Sequence, residues 1–573
     1  MTGRSPLRTF VAGLLVGAVT GGAVSAGLAA AAISLHPRLA ARIAQELRHR
    51  SVPPPVDVSG RTVVRVDAGA AGRSISPYVY GVSNADPATL SALGATVNRW
   101  GGDNSTRYNW VNGHAWNAAR DWEFRNGNYG TPSGSAADGF VAGTLRTGAV
   151  PLMTVPAIGW VARNDDNGTR SVGVPGHGGP PEAAGSDAIP GYDPAANRAR
   201  TSVPSAATRP AGAMETAAAG ATVYQDEWVS HLAGRFGPAP KGVPFYAIDN
   251  EPDLWSEMHT DVRPVQMSYD DMLRVYEEYA TAVKARDPGA RLFGPDLSGW
   301  TGYWYSALDR GPDNFASHAD RTAHGGEAFL PWWLRQVAAA DRRHGGRSLD
   351  YVDVHYYPQG PAVFSNQADP ATQALRVRSV RSLWDGSYGD ESWIGTQVDL
   401  LPRLRAWIDQ NYPGTRLAIT EYSWGGEKDL SGAVALAEVL GVFGREGVDV
   451  ACYWMFPPPG SPAGAAFRLY RNYDGQGATF GEVSLPARSD HPGIAAYAAR
   501  HARSGEVDVV LVNESPGQTG TVHLDLAGRR YRATDSYSVA DTTGQIRHAR
   551  LDTTGSDLRL PPSSATLVRL VPA

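Results

Sequence analysis

Two glutamates carry most of the chemistry legible in this chain. Glu251 lies in Tyr246-Ala-Ile-Asp-Asn-Glu-Pro-Asp-Leu-Trp255, and Glu421 in Leu417-Ala-Ile-Thr-Glu-Tyr-Ser-Trp-Gly425. Each stands at the C-terminal end of a short apolar, strand-like run and is followed at once by loop residues and aromatics. A carboxylate has no packing reason to end an apolar strand, because burying it is costly unless it is paired or used. Two such strand ends, far apart in sequence, predict a pair of carboxylates converging on one site. That is the minimum equipment for hydrolysing a glycosidic bond.

The elements that must position them alternate along the chain. Apolar runs occur at Tyr78–Val82, Thr96–Trp100, Val150–Val155, Val243–Asp249, Arg291–Gly294, Tyr351–Tyr357, Arg416–Glu421 and Val448–Met455. Amphipathic segments at Tyr224–Phe236, Tyr269–Arg286, Leu330–His344 and Ser431–Glu446 lie between them. Eight strands interleaved with helices predict an α/β fold, a (β/α)8 barrel, whose parallel strands are apolar throughout because both faces are buried. Reactive residues in that fold occupy C-terminal strand ends, where both glutamates lie. A doubly wound open sheet would alternate in the same way, but no Gly-rich phosphate turn follows the first strand. Gly159–Ala221 is Gly/Pro-rich and weakly periodic, and reads as a long loop insertion forming a cleft wall. After about Gly464 the pattern becomes short alternating runs (Phe467–Tyr470, Val507–Val512, Thr521–Leu526, Tyr531–Tyr537, Ala565–Val568) separated by turn residues, which predicts a C-terminal antiparallel β-sandwich. Arg61–Val66 alternates similarly and is a candidate to pair with it. The expected organisation is a leader at 1–36, a linker at 37–60, the barrel at 61–463 and the sandwich at 464–573.

Composition narrows the class. With 573 residues, 42% hydrophobic and 19% charged, the chain is globular and long enough for two domains. A net charge of -5 gives no basic footprint for nucleic acid. Cys452 is the single cysteine, so no intrachain disulfide forms. Arg4 and Arg8 precede an uncharged Gly/Ala-rich apolar run from Phe10 to Leu35, the pattern of an export signal that is also long enough to span a bilayer. Cleavage and retention both remain open, and the expected location is extracellular, either secreted or anchored to the outer face of the cell membrane. That run is the only expected membrane contact, and a monomer is expected.

Several stretches together resemble glycoside hydrolase family 44, whose members are endo-acting β-1,4-glucanases and xyloglucanases. They are Asn98-Arg-Trp-Gly-Gly-Asp-Asn-Ser-Thr-Arg-Tyr-Asn-Trp110, Asp249-Asn-Glu-Pro252, Tyr351-Val-Asp-Val-His-Tyr-Tyr-Pro358, Ile419-Thr-Glu-Tyr-Ser-Trp424 and Phe467-Arg-Leu-Tyr-Arg-Asn-Tyr-Asp-Gly475. They run in family order from about residue 61 to the C-terminus. Asn-Glu-Pro alone is shared by many barrel glycosidases; the ordered set is specific. One departure is Asp103, where the pattern leads one to expect Asn, and it bears on sugar contacts near the catalytic subsite.

The resemblance implies a retaining mechanism, with Glu251 as general acid/base, Glu421 as nucleophile and a polysaccharide as substrate. It also implies supporting roles, each with a plainer reading beside it. Asn250 would bond the sugar 2-hydroxyl, or simply cap a turn. Arg99 would orient Glu421, or serve as a barrel-interior ion pair. His355 and Tyr357 alternate on one strand and both point inward, so one would hold the nucleophile, or both would be satisfied core groups. Trp454 would floor the catalytic subsite by stacking on sugar, or belong to the core. Trp110, Trp160 and Trp424 are weaker candidates for cleft walls, and Asp296 and Trp300 for substrate contact. The chemistry requires no cofactor. Asp165 and Asp166, within Asn164-Asp-Asp-Asn-Gly168, offer clustered oxygen ligands for a structural calcium without the spacing of an EF-hand loop. Other cell-wall polymers (mannan, xylan, arabinan) and a non-catalytic polysaccharide-binding protein are the competing readings.

Overall fold

The computed structural model describes residues 56–573 apart from 123–125, 130–134, 163, most of 166–222, 260, 264, 312 and 554–556. The apolar run at 10–35 and most of the 159–221 insertion therefore lie outside the described residues. Among the described residues no helix is long and apolar enough to cross a membrane.

Eight parallel strands close into a barrel: β1 Gly81–Ser83, β2 Val97–Trp100, β3 Val150–Val155, β4 Phe245–Ile248, β5 Arg291–Leu297, β6 Tyr351–Tyr356, β7 Arg416–Tyr422 and β8 Val450–Tyr453. Each pairs with the next in sequence, and β8 closes on β1 through Cys452–Gly81 and Tyr453–Val82. All eight apolar runs of the sequence become these strands. Inside, Val97, Leu152, Phe245, Ala247, Phe293, Tyr351, Ala418, Val450 and Cys452 form an apolar floor. The ring of Phe293 stacks on Tyr351 at 4.2 Å, and Phe245 meets both edge-on. Residues on the opposite faces of the same strands, such as Val352, Val354, Leu417 and Ile419, join the outer core beneath the helices.

The helices form where caps and apolar stripes coincide. Tyr269–Arg286 starts at a Ser268/Asp271 capping box, with acidic residues in its first turn and Lys284 and Arg286 in its last, which suits the helix dipole. Leu430–Glu446 is buried nearly all round because it lies between two layers. On its far side is a seven-stranded sheet, whose Tyr497, Val510, Val512, Val539 and Leu567 share the main core with the barrel helices. Gly441 permits the close approach: a Cβ there would come within 2.3 Å of the Tyr497 ring.

That sheet and a four-stranded one enclose a second core containing Val64, Val66, Leu511, Val522 and Val568. Arg61–Asp67 is a strand of the four-stranded sheet, parallel to Gly520–Ala527 and antiparallel to Ala487–Ser489. The expected strand at Phe467–Tyr470 does not form. Those residues lie in the helix Pro462–Arg471, started by Ser461 accepting from Gly464 N–H and by Pro462 in the first turn. This helix packs against Leu430–Glu446 in the barrel's helical layer, and the first strand after it is Val483–Leu485.

Candidate active site

The ends of β2, β4, β5, β6 and β7 bring a charged layer together directly above the apolar floor. Arg99 on β2 is fully enclosed. One of its terminal nitrogens donates to Glu421 Oε1 at 2.6 Å, and the other to Asn250 Oδ1 at 2.9 Å. Tyr357 donates its hydroxyl to Glu421 Oε2 at 2.9 Å, so both oxygens of this carboxylate are held. Glu421 reaches the site because pairing slips on both sides of β7, between Val354 and His355 and between Ile419 and Tyr422. The irregularity lets consecutive residues Thr420 and Glu421 both turn inward, Thr420 onto Asp353 and Glu421 onto Arg99.

Glu251 follows β4 in a left-handed turn, φ 44°, with Asp249 also at positive φ. A non-glycine residue there is uncommon and needs support. Support comes from Asp249, whose carboxylate accepts from the Ala157, Ile158 and Asn250 N–H groups. The Glu251 N–H donates to the Asp296 carbonyl at 3.1 Å. On the carboxyl itself, Oε1 lies 2.7 Å from His355 Nδ1. Burial pushes the Glu251 carboxyl up to about 7; the Glu421 anion adds to the rise and His355 opposes it. Burial likewise raises Asp353 to about 8, with the Asp296 anion contributing.

Asn250 is oriented at both ends. Its Oδ1 accepts from Arg99 and from Gly102 N–H, and its Nδ2 donates to Asp103 Oδ1 at 3.1 Å. The departure at Asp103 therefore touches the amide expected to meet the sugar. Gly102 has φ 92°, and a Cβ on it would strike the Trp454 ring edge at 2.5 Å. Glycine is required there on both counts.

The structure gathers Glu251, Glu421, Asn250, Arg99, Asp103, His355, Tyr357 and Trp454 at one barrel end, and it revises several roles. Arg99 and His355 are fully enclosed, Arg99 against Glu421 as expected and His355 against Glu251. His355 holds Glu251 and not the nucleophile candidate: its Nδ1 is 2.7 Å from Glu251 and 3.5 Å from Glu421. Tyr357 is the one of the pair that holds Glu421. Asp296 is also enclosed, with its carboxylate under the site against His355 and Arg99. Trp424 is core, with its Nε1 donating to Ser379. Trp454 is 8% exposed, leaving only an edge to meet a ligand. Asp165 accepts from Asn128 and lies 3.6 Å from His114, while Asp166 lies outside the described residues. Among the described residues, one ligand-type atom from each of Glu251, His355 and Glu421 lies within 4.8 Å of the other two, but His355 commits its Nδ1 to Glu251 and has no lone pair left there for a metal. Tyr303, which donates to the His355 carbonyl, was not singled out from sequence, and no local signal marks it.

The sequence profile of glycoside hydrolase family 44 matches residues 115–360. Endoglucanase A of Paenibacillus lautus is 32% identical over 525 residues, spanning 86% of this chain and 70% of that protein. The chain belongs to glycoside hydrolase family 44. Among solved structures, a bifunctional glucanase-xylanase from a metagenome library superposes with a TM-score of 0.80 at 32% identity, covering 90% of this chain and 99% of its own. A family 44 xyloglucanase from Paenibacillus polymyxa, solved with xyloglucan, gives 0.78 at 29% identity, covering 90% and 100%. The chain is thus a glycoside hydrolase of this family, with the barrel and sandwich its relatives share.

Proposed function

We propose that this family 44 enzyme cleaves β-1,4-linked glucan or xyloglucan with net retention, through a glycosyl-enzyme formed on Glu421. The observation that carries the reading is the spacing of the two carboxyl groups, with oxygens of Glu251 and Glu421 within 4.8 Å. Retaining glycosidases hold their carboxyls about 5–5.5 Å apart, whereas inverting ones leave room for a water at about 6.5–9.5 Å. The unequal environments support the division of labour. Glu251 is raised to about 7 and carries a proton into neutral solution. Glu421 is held by the Arg99 cation and the Tyr357 hydroxyl.

In the first step Glu421 forms a bond to the anomeric carbon as Glu251 gives its proton to the departing oxygen. The charge on Glu421 is consumed, which lowers the proton affinity of Glu251 and turns it into a base. In the second step Glu251 takes a proton from water as that water displaces Glu421. Asn250, with its oxygen committed to Arg99 and Gly102, offers its Nδ2 to the 2-hydroxyl. Glucan and xyloglucan are favoured because the matched relatives include an endoglucanase and a xyloglucanase. Export, by way of the apolar run at 10–35, would place the enzyme with such polymers.

The test is reducing-end release by residues 51–573 from xyloglucan, carboxymethylcellulose, mannan, xylan and arabinan, with the first product's anomer read by proton NMR. A β-anomer from a β-glucan supports the reading, and an α-anomer overturns it. Azide added to Glu251→Ala and Glu421→Ala should give β- and α-glycosyl azides respectively.

A further inference from the structure

Asp296 touches no solvent, yet it is linked to the acid/base twice. Near the end of β5 its backbone adopts φ 56°, which turns its carbonyl toward the loop after β4 and onto the Glu251 N–H at 3.1 Å. Its carboxylate Oδ1 lies 2.6 Å from His355 Nε2, and the other ring nitrogen lies 2.7 Å from Glu251 Oε1. A third contact, 3.5 Å to Arg99, joins it to the cation that holds Glu421 and Asn250.

A fully buried carboxylate is expensive unless it is paired. Burial opposes its ionisation, but the His355 and Arg99 cations overcome that and hold Asp296 below the usual carboxylate range. At 2.6 Å an ionised Asp296 pairs electrostatically with the His355 ring at its Nε2 side, without hydrogen-bond geometry, and thereby fixes which imidazole nitrogen faces Glu251. Nδ1–H then donates to Glu251 Oε1 whether the glutamate is acid or carboxylate, and Oε2 is left to pass the proton. The same constraint holds through both steps, although the charge of Glu251 reverses between them. Tyr303, donating to the His355 carbonyl, fixes the strand behind the ring.

We propose that Asp296 is a positioning residue for acid/base catalysis, gripping Glu251 by its backbone through the Asp296 carbonyl and by its carboxyl through His355. The proposal rests on Glu251 being the acid/base.

The experiment uses the enzyme with Asp296→Asn and, because a buried charge is being altered, His355→Gln as a second variant, with folding of each checked by circular dichroism. Both are assayed on xyloglucan, whose leaving group needs protonation, and on 2,4-dinitrophenyl β-cellobioside, whose leaving group does not. Loss of general acid assistance predicts a fall in kcat/KM of about 10²-fold on the polymer. On the aryl glycoside a fall under about tenfold is expected, with KM lowered as the glycosyl-enzyme accumulates. Equal losses on both substrates with KM unchanged, or no loss on either, would overturn the proposal. Glu251→Gln is run alongside. If it too shows no dependence on leaving group, the acid/base reading itself fails; if it shows the dependence and the other two variants do not, only the role of Asp296 fails.

Discussion

Tyr351 and His355 stand on the same strand and the same side of it, four residues apart, in two very different surroundings. Tyr351 stacks on Phe293 and belongs to a floor of apolar side chains. His355 lies among Asp296, Glu251, Glu421 and Arg99. Both layers are buried, the upper one opening to solvent only at Glu251 and Glu421, but they stand differently in the energetics of folding. Each large floor side chain contributes about 1.5–3 kcal/mol by burial, with aromatic pairs adding about 0.5–1.5 kcal/mol. The charged layer starts from a desolvation penalty and recovers it only through mutual pairing. The floor thus supplies the rigidity that lets the layer above hold carboxyls away from their ordinary proton affinities.

Changes to the two layers should separate activity from stability. The largest expected effect on activity is that of Glu421→Ala, which should lower kcat on glucan by at least about 10⁴-fold; the buried Arg99 cation it leaves short of a partner should also lower the urea midpoint. Phe293→Ala should act on stability instead, costing about 3–5 kcal/mol in urea unfolding while the pH profile of the remaining folded enzyme stays in place. A proton affinity raised on folding means that the folded state binds more protons than the unfolded chain between the two pKa values, so stability falls as pH rises through that window. For Glu251 the window runs from its ordinary value of 4.5 to about 7. Glu251→Gln should therefore raise the thermal midpoint more at pH 8 than at pH 5, and an equal gain at both would contradict the assignment. In the wild type, kcat/KM should decline with an apparent pKa of about 7 on the alkaline side as Glu251 loses its proton. The smallest effect is expected for Asp103→Asn, where the Asn250 amide keeps an oxygen partner but loses an anionic one. A change in KM on xyloglucan under about tenfold is expected, since one charge-assisted hydrogen bond becomes neutral.

Much of the barrel was legible because parallel strands buried on both faces have to be apolar from end to end, and each of the eight runs had that character. The helices Tyr269–Arg286 and Leu430–Glu446 were legible from their period. Pro370–Arg378 and Ala136–Arg146 were not found, since their apolar stripes are broken by Arg and Gly, although Asp369 and Ser135 are ordinary N-caps. The strand reading of Phe467–Tyr470 failed for a related reason. Four alternating residues fit either period, and the deciding signal was the Ser461-Pro462 start six residues upstream. In the site, both glutamates and their neighbours were marked by strand ends. Which carboxylate His355 would hold was not legible, because alternation gives the face of a strand but not the register between strands. The slip on both sides of β7 decides it, and that slip leaves no trace in local composition.

The strand Arg61–Asp67 has a consequence for how the chain is made. It is the first described strand to be synthesised, yet its partners lie near the other end: the bond from Val58 N–H to Gln518 spans 460 positions. At roughly 5–20 residues per second, some 20–90 s separate the two on the ribosome. The barrel strands are all complete by Tyr453, so the barrel can close first, while the opening segment waits with both edges unpaired. An idle edge of this kind invites wrong partners. Arg61, Arg65 and Asp67 occupy its exposed positions, alternating with Val64 and Val66, and supply the charges that keep it soluble during the wait. The last stitch of the fold is thus made with the first thread, and the molecule is held by a clasp that fastens only when synthesis is nearly complete.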